Sequence, residues 1–400
     1  MSVLRSTSVS WLRSREGLAT LAGLAILTIY PLVMPRFWVL SIASNAMILG
    51  IAALSLIFMA GYGGMVSLAQ AALAGFAAYM LALATLEPST TATGSAIGFA
   101  LPSIAGAVIA VILATLAGAL FGAISARSYG IYFLMLTLAL AVGFFFFVLQ
   151  NYEVFGGHIG FAKILGPTGQ PRENPAVFYY MCLVAAALLY VGLRYVVRSQ
   201  LGLTFQGIRD NPRRMSALGY RVGVHRVVLF AMGGFVAGVS GVLGAWYRGN
   251  ISPGVVDISR TIDVLIIAVL GGLGYPIGAF VGAVVFVLID VFASSIKIFG
   301  FSFDERFNTL IGLGFVLIVL VAPNGLVGLA DRAWQSAGRR RGRATRRAVD
   351  PLAVEAGIAP APEAAPFKSP APPESDAPAP EGAPPDIDGG TRDSPPTSRL

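Results

Sequence analysis

Charged residues are scarce in this sequence, and their scarcity excludes most soluble folds. Of 400 residues, 12% are Asp, Glu, Lys or Arg and 56% are hydrophobic, whereas a soluble domain carries about 25% charged residues. Apolar runs of roughly 20 residues, long enough to cross a bilayer, recur along most of the chain. They do not alternate in polarity, as the strands of about 10 residues in a membrane β-barrel would. We therefore predict an all-α, polytopic helical membrane protein.

Cysteine and histidine are also scarce, which limits the chemistry that the chain can perform. A disulfide within the chain and a cysteine metal site are excluded because Cys182 is the single cysteine. The two histidines, His158 and His225, lie far apart in the sequence. Neither the GxxxxGK[ST] phosphate-binding pattern nor the GxSxG nucleophile pattern occurs. We expect no metal, no cofactor and no catalytic residue, and any ATP hydrolysis must then belong to a separate chain.

Long apolar segments fill most of the sequence and are predicted to span the membrane. Two of them are short enough to be broken or partial helices. About eight to ten spans are therefore expected, with at least one broken or re-entrant helix. The predicted spans are Leu18–Met34, Phe37–Met59, Val66–Ala84, Ile97–Ile124, Ile131–Gln150, Ala176–Leu193, Val227–Trp246, Ile262–Gly274, Ile277–Asp290 and Leu310–Val321.

Basic residues orient the chain and mark its regions. Lys and Arg are enriched in the N-terminal leader (1–17), in a long loop (198–226) and after the last span. Because cytoplasmic loops carry an excess of Lys and Arg, both termini are predicted to be cytoplasmic. The transmembrane domain is assigned to residues 18–330 and a basic cytoplasmic segment to 331–347. A Pro/Ala-rich acidic tail (348–400) is expected to be disordered.

The stretch "DNPRRMSALG" in the long loop is typical of a short, well-bounded helix. Asn211 suits the N-cap, Pro212 the first helical position and Gly219 the left-handed position after the end. Met215 and Leu218 are three residues apart, which predicts that they share a face. Such a helix could dock into a groove of another protein or lie on the lipid surface, held by its arginines.

The stretch "GYGGMVSLAQAALAGFAAY" interrupts an apolar region with four glycines, one serine and one glutamine. Glycine in a helix interior is destabilising by roughly 1 kcal/mol relative to alanine, and unwound backbone is tolerated in a membrane where it lines a cavity or is covered by protein. Ser67 and Gln70 are three apart and are expected to face protein or water. They either line a substrate route or hydrogen-bond a neighbouring helix.

A second glycine-rich stretch, "AVLGGLGYPIGAFVGAVV", predicts a sharp turn and close helix packing. Gly274, Gly278 and Gly282 are four apart, and small residues at that spacing let two helices approach closely. Gly271, Gly272, Gly274 and Pro276 also make a sharp turn plausible. Ordinary tight packing and a moving interface are both compatible with this pattern.

Asp263 is the acidic residue that we rank first as a functional candidate. It is predicted near the outer end of its span and follows Arg260 and a "NISPG" loop. A charge deep in a membrane costs roughly 2.5–3.5 kcal/mol on insertion scales, but far less at the interface. Its position alone therefore does not establish a function.

Three stretches together resemble the LivM-type permease subunit of branched-chain amino-acid ABC importers, over roughly residues 40–330. "GMVSLAQAALAGFAAY" resembles that family's GQxSLGHAAFxGxGAY-like stretch and retains Gly64, Ser67 and Gly75, with Gln70 where the family often has His. "GLTFQGIRDNPRRMSALGYR" is similar to the family's cytoplasmic loop pattern. "ISPGVVDISRTIDVLIIAVLGGLGYPIGAFVGA" and the later "PNGL" resemble its final segments.

This resemblance implies a transport subunit without enzymatic activity, located in the bacterial inner membrane. The expected partners are a second permease subunit (LivH-like) or a second copy, two cytoplasmic ATPase subunits, a periplasmic binding protein and membrane lipids, but no nucleic acid. Ser67, Gln70 and Asp263 would line or support the substrate path. The family's loop docks on the ATPase, which assigns coupling to Arg209, Asp210, Asn211, Arg213, Arg214, Met215, Leu218 and Gly219. The helix-packing glycines would be Gly64, Gly75, Gly271, Gly272, Gly274, Gly278 and Gly282.

Other functions remain compatible with the sequence. The same permease family serves urea, short amides and aromatic acids, and a sugar-type ABC permease shares the broad architecture. An ion-coupled secondary transporter would share the glycine-broken helices, and a membrane scaffold without transport activity is a more distant possibility. Leucine, isoleucine and valine are the default substrates by resemblance.

Overall fold

The described part of the protein is an almost entirely helical bundle. The computed structural model describes residues 27–86, 98–295, 297–298, 301–302 and 325–329. The predicted leader, the last predicted span (Leu310–Val321), the basic segment and the acidic tail lie outside the described residues, as does most of the first predicted span.

Helices account for most of the described residues, and the few strands are two residues long. In chain order the elements are α1 (Trp38–Gly63, π-helical over Trp38–Ser44), α2 (Gln70–Thr85), α3 (Ser103–Ser125), α4 (Ile131–Gln150), α5 (Tyr152–Phe155), β1 (Phe161–Ala162), α6 (Pro175–Arg198), α7 (Gln200–Asp210), α8 (Pro212–Ala217), α9 (Val222–Arg248), β2 (Asn250–Ile251), a 3-10 turn (Pro253–Val255), α10 (Ile258–Gly271), α11 (Gly278–Ser295), β3 (Lys297–Ile298) and β4 (Phe301–Ser302). Residues 27–33 and 325–329 are also helical.

Within the described residues, 5 helices are long and apolar enough to cross a membrane, namely α1, α3, α4, α6 and α9. The shorter α2 and α11 are apolar as well. The prediction of a multi-pass, all-α membrane protein is thereby confirmed. Several helix boundaries differ from the predicted ones, and the physical reasons are local.

The start of α10 illustrates why the predicted boundaries moved. The segment was predicted to begin at Ile262, where its apolar run begins, but the helix begins at Ile258. The Asp257 side chain caps it by accepting a hydrogen bond from the Ile258 N–H at 2.7 Å. An N-cap of this kind stabilises the first turn even where that turn is polar.

Helix α1 lies at the centre of the bundle. It packs against α6, α7, α9, α10 and α11, and most of its side chains are buried. Glycines bring the helices around it into close contact: a Cβ atom on Gly241 of α9 would lie 1.9 Å from the carbonyl oxygen of Ala74 in α2. Larger residues there would force the helices apart, so these glycines fix the interhelical distance.

Helices α3 and α4 lie at the periphery. Large apolar side chains along both are exposed, including Ile112 and Leu116 of α3 and Tyr132 and Met135 of α4. In a bilayer such side chains meet lipid or another membrane subunit, so their exposure is compatible with a stable fold.

The bundle has two ends that the loops define. One end contains the C-terminus of α1, the α3–α4 loop, and helices α7 and α8. There Arg209 of α7 contacts Gly61 of α1, and Arg226 of α9 donates to the carbonyl oxygen of Ala126 in the α3–α4 loop at 2.9 Å. We call this the Arg209 face. At the other end, strands β1 and β2 pair antiparallel, with Phe161 opposite Ile251, and we call it the ladder face.

Candidate substrate pathway and coupling site

The chain breaks its helical path between α1 and α2. Gly64 ends α1 in the left-handed conformation, with φ of 66°, and its N–H donates to the carbonyl oxygen of Ala60 at 3.2 Å. Residues 65–67 have no regular structure, and α2 begins only at Gln70. The predicted start at Val66 was therefore wrong, because the apolar run continues through the break and conceals it. A side chain at position 64 would be strained, which explains the glycine.

Ser67 and Gln70 are fully enclosed by protein, with relative exposures of 0% and 1%. The Gln70 Oε1 accepts a hydrogen bond from the Ser55 hydroxyl at 3.0 Å, and its Nε2 donates to the Met59 sulfur at 2.7 Å. The Ser67 Oγ accepts from the Ala69 N–H at 3.2 Å. Both residues thus face protein rather than lipid, as predicted. In this conformation they act as hydrogen-bonding groups that close the break.

Thr137 of α4 completes this polar cluster. Its Oγ1 accepts a hydrogen bond from the Leu68 N–H at 3.2 Å, and its hydroxyl donates to the carbonyl oxygen of Leu134 at 3.0 Å. Sequence reasoning missed Thr137 and Ser55, because each is a lone hydroxyl inside an apolar run. The available signal is weak: a buried polar group in a membrane must find a partner, and the break offers free N–H groups.

Asp263 lies at a depth similar to that of Ser55, although it has different neighbours. Ser55 precedes the end of α1 by eight residues and Asp263 precedes the end of α10 by eight, or about 12 Å of helix in each case. The two ends are close, since a Cβ atom on Gly61 would lie 2.6 Å from the carbonyl oxygen of Leu273. The Asp263 carboxylate pairs with Arg260 at 3.2 Å. The structure places Ser67 and Gln70 in one cluster and Asp263 in another.

The predicted short helix of the long loop is present as α8. The Asn211 side chain accepts a hydrogen bond from the Arg214 N–H at 3.0 Å, Pro212 occupies the first position and Gly219 has φ of 89°. These three features confirm the predicted cap, start and end. Arg213 and Arg214 are exposed, as is Asp210.

Met215 and Leu218 do not form the shared apolar face that was predicted. Met215 is half-buried against Gly207 of α7, where a Cβ atom would lie 2.8 Å from the Met215 sulfur. Leu218 is 65% exposed. The two differ because Met215 packs against α7, whereas Leu218, the residue that caps the end of α8, remains exposed.

Arg209 joins this loop to the break. Its Nη1 donates to the carbonyl oxygen of Gly61, its Nε pairs with Asp210 at 2.9 Å, and its side chain lies against Gly64. Phe205, one turn earlier, packs edge-on against Phe58 of α1 with ring centroids 6.4 Å apart. A displacement of α7 would therefore act directly on the last turn of α1.

The second glycine-rich stretch forms a tight hairpin between α10 and α11. A Cβ atom on Gly271 would lie 1.9 Å from the carbonyl oxygen of Gly278, and one on Gly282 would lie 2.2 Å from that of Ile267. Gly272 ends α10 with φ of 109°.

Gly75 and Gly274 had both been assigned to helix packing. Gly75 of α2 is such a residue, because a Cβ atom there would lie 2.6 Å from Val256. The helix-packing assignment was wrong for Gly274, whereas its predicted place in the turn is confirmed. It lies in the turn before α11, and a Cβ atom there would meet no described atom within 4 Å.

Comparison with known proteins identifies similar chains. Among curated proteins, the chain is 26% identical over 201 residues to the probable branched-chain amino acid transport permease protein LivM of Methanocaldococcus jannaschii, covering 48% of this chain and 58% of that protein. It is 26% identical over 165 residues to the permease protein BraD of Pseudomonas aeruginosa, covering 40% and 52%. It is 26% identical over 153 residues to LivH of Escherichia coli, covering 38% and 47%. The chain spans about half the length of these relatives.

Family comparison covers more of the sequence than any of these pairs. The family model described as "Branched-chain amino acid transport system / permease component" matches residues 38–322. No solved structure matches the chain. The matched range runs from the start of α1 past the end of α11. Because this is well over half of the sequence, the chain belongs to the family of permease components of branched-chain amino acid transport systems.

Proposed function

We propose that the chain is the membrane-spanning permease subunit of an ATP-driven ABC importer that moves branched-chain or related hydrophobic amino acids across a bacterial inner membrane. The similar proteins LivM, BraD and LivH are named as branched-chain amino acid transport permeases, which supports this transport role. One observation carries the mechanism: Arg209 links the exposed loop to the helix end beside the break. No covalent chemistry is assigned to the chain.

The Arg209 face is proposed to be cytoplasmic and to bind the ATPase subunits. The loop at this face is rich in arginine, which favours the cytoplasmic side. Its exposed groups include Leu218, Arg213 and Arg214. An apolar side chain beside positive charge suits docking into a groove of a soluble protein. Together with the first and last predicted spans, this orientation would place both termini in the cytoplasm.

Movement of the docked ATPases would reach the break in two steps. The capped helix α8 transmits force to α7 through the contact between Met215 and Gly207. Helix α7 transmits it to α1 through Arg209 and Phe205. Because the break is fastened by side-chain hydrogen bonds, it can open by exchanging partners rather than by unfolding a helix. Ser67 and Gln70 would then become part of the substrate path.

Two further partners follow from this function. The ladder face would receive substrate from a periplasmic binding protein, since β1 and β2 present two long loops there as one paired unit. A second permease subunit, LivH-like or a second copy, would complete the membrane path. The exposed apolar side chains of the bundle offer surface for such a subunit as well as for lipid.

The decisive experiment is uptake of radiolabelled L-leucine by the complete transporter in proteoliposomes, driven by ATP. The double variant Arg209→Ala/Leu218→Ala should insert into the membrane normally but lose uptake, because it removes both the contact to Gly61 and the exposed apolar group. Arg221→Ala/Leu188→Ala, which also removes one arginine and one exposed leucine, should retain uptake.

Other outcomes of the same assay separate the alternatives. Normal uptake by the Arg209/Leu218 double variant would contradict the coupling route. Uptake by the isolated chain on an imposed ion gradient would replace the proposal with a secondary transporter. ATP-driven uptake of radiolabelled urea, a short amide or a sugar, without uptake of L-leucine, would redirect the substrate assignment within the ABC permeases.

A further inference from the structure

Charged side chains gather near the ladder-face ends of α9, α10 and α11. Arg260 and Asp263 form a pair on α10 at 3.2 Å. Arg248, the last residue of α9, lies near enough to Arg260 for the two like charges to repel, and Asp290 of α11 is related to Asp263 in the same way. We call these four residues the charge cluster. It is separate from the cluster of Ser67 and Gln70, which has neutral partners.

The α10–α11 hairpin brings both acids of this cluster together. Gly271 meets Gly278 and Ile267 meets Gly282 across the hairpin. Continuing this antiparallel register places Asp290 opposite residue 259, in the first turn of α10. Asp290 is therefore placed beside the short stretch of α10 that carries Arg260 and Asp263.

Two members of the charge cluster, Arg260 and Asp263, lie within the thickness of a membrane, and neither is enclosed by the chain. Asp263 stands about 12 Å, and Arg260 about 16 Å, along α10 from the Arg209 face, whereas the hydrocarbon core is about 30 Å thick. The Arg260 and Asp263 side chains are 48% and 21% exposed, and Arg248 is exposed as well. Ionised side chains at such depth rarely face lipid and instead face a water-filled cavity or other protein.

The charged groups of the cluster determine which kind of ligand it could bind. It presents two guanidinium groups and two carboxylates, so its formal charge sums to zero. Guanidinium groups bind a carboxylate through paired N–H donors, and carboxylates bind an ammonium group. A ligand carrying one carboxylate and one ammonium group on the same carbon would satisfy both halves. It would exchange with the Arg260–Asp263 pair without leaving a net charge in the membrane.

We infer that the charge cluster is a water-accessible binding site for the zwitterionic head group of an α-amino acid, with Arg248 and Arg260 binding its carboxylate and Asp263 and Asp290 its ammonium group. This inference rests on the proposed function, which it deepens by naming the chemical group that is recognised. The apolar substrate side chain is left to the surrounding helices, so selection at this site acts on the head group.

Thiol labelling tests this site directly, because the single native cysteine, Cys182, is buried. The full chain carrying Ser259→Cys, next to Arg260, is placed in nanodiscs of phosphatidylglycerol, a lipid without an ammonium group. A charged methanethiosulfonate should modify this cysteine at least about tenfold faster than Ile112→Cys, on an exposed face of α3, because the reagent needs a hydrated thiolate. Equal rates at the two positions would overturn the inference.

Protection by ligand identifies the recognised group. L-leucine should slow modification of Ser259→Cys, whereas 3-methylbutylamine, which lacks the carboxylate, and 4-methylpentanoate, which lacks the ammonium group, should not. Adding Asp263→Asn should abolish the protection. Adding Asp257→Asn, which keeps the N-cap, should preserve it. Protection by either analogue, no protection by L-leucine, or protection that survives Asp263→Asn would each overturn the inference.

The uptake assay separates this inference from the proposed function. ATP-driven uptake of L-leucine without protection at Ser259→Cys would remove the site and leave the proposed function intact. Protection in a chain whose complete transporter shows no ATP-driven uptake would retain the site and remove the proposed function.

Discussion

Two glycine-rich interruptions divide apolar helices in this protein, and they are held in opposite ways. The break between α1 and α2 is fastened by side chains: Ser55 to Gln70, Thr137 to Leu68, and Arg209 to Gly61. The hairpin between α10 and α11 is held by close backbone packing. The carbonyl oxygen of Gly278, for example, occupies the space that a side chain at position 271 would need. The first arrangement can exchange partners, whereas the second has almost no room to change.

This contrast shows that glycine content alone does not identify a moving part. At Gly64, glycine supplies a left-handed conformation beside a polar cluster. At Gly271, it removes a side chain so that two helices can touch. We therefore expect substitutions at the hairpin to affect stability most, and substitutions at the break to affect transport as much as stability.

The largest effect is expected from Gly271→Val. Its Cβ atom would lie 1.9 Å from the backbone of Gly278, and backbone cannot move aside without separating α10 from α11. We expect a loss of about 3 kcal/mol in the free energy of unfolding, measured by SDS titration in mixed micelles. Gly274→Val in the neighbouring turn should change it by less than about 0.5 kcal/mol. Equal losses of stability in the two variants would show that backbone contact at Gly271 does not hold the hairpin together.

An intermediate effect is expected from Gln70→Leu. The substitution removes the hydrogen bond with Ser55 and should lower the free energy of unfolding by about 1–2 kcal/mol. It should also lower ATP-driven uptake in proteoliposomes, because the group that fastens the break is lost. Gln206→Leu is the matched control, since Gln206 bonds only the Gly202 carbonyl of its own helix among the described contacts. A Gln70→Leu transporter with native uptake would remove the break from the mechanism.

The smallest effect is expected from Thr137→Val, which leaves the Leu68 N–H without its acceptor. Hydrogen bonds between membrane helices contribute modestly, so we expect a loss of about 1 kcal/mol. Thr115→Val should cost less, because among the described contacts the Thr115 hydroxyl donates only to the carbonyl oxygen of Val111 in the same helix. The same SDS titration compares the two variants. Indistinguishable losses would show that Thr137 does not fasten the break.

Much of the fold could be predicted from the sequence because its signals are local. The apolar run Ile131–Gln150 became a helix with those same ends, and the "NP" start and glycine end of α8 follow from capping chemistry. The break was expected from its glycines and polar residues. Its position was not, because Val66 and Leu68 continue the apolar pattern through it.

The partners of the candidate site depend on long-range contacts that a single sequence does not reveal. Thr137 meets Leu68 across 69 positions, and Arg209 meets Gly61 across 148. Neither contact has a local pattern. The burial of Met215 has the same origin, because it depends on the packing of α8 against Gly207 of α7.

The pairing of β1 with β2 has a mechanical consequence. It ties the connector between α4 and α6 to the connector between α9 and α10, and the Ile164 N–H extends the tie by donating to the carbonyl oxygen of Gly249 at 3.0 Å. The ends of α4, α6, α9 and α10 are thereby linked at the ladder face. If the bundle opens at this end, these four helix ends must move together as one rigid unit, or the hydrogen bonds that join β1 to β2 must break.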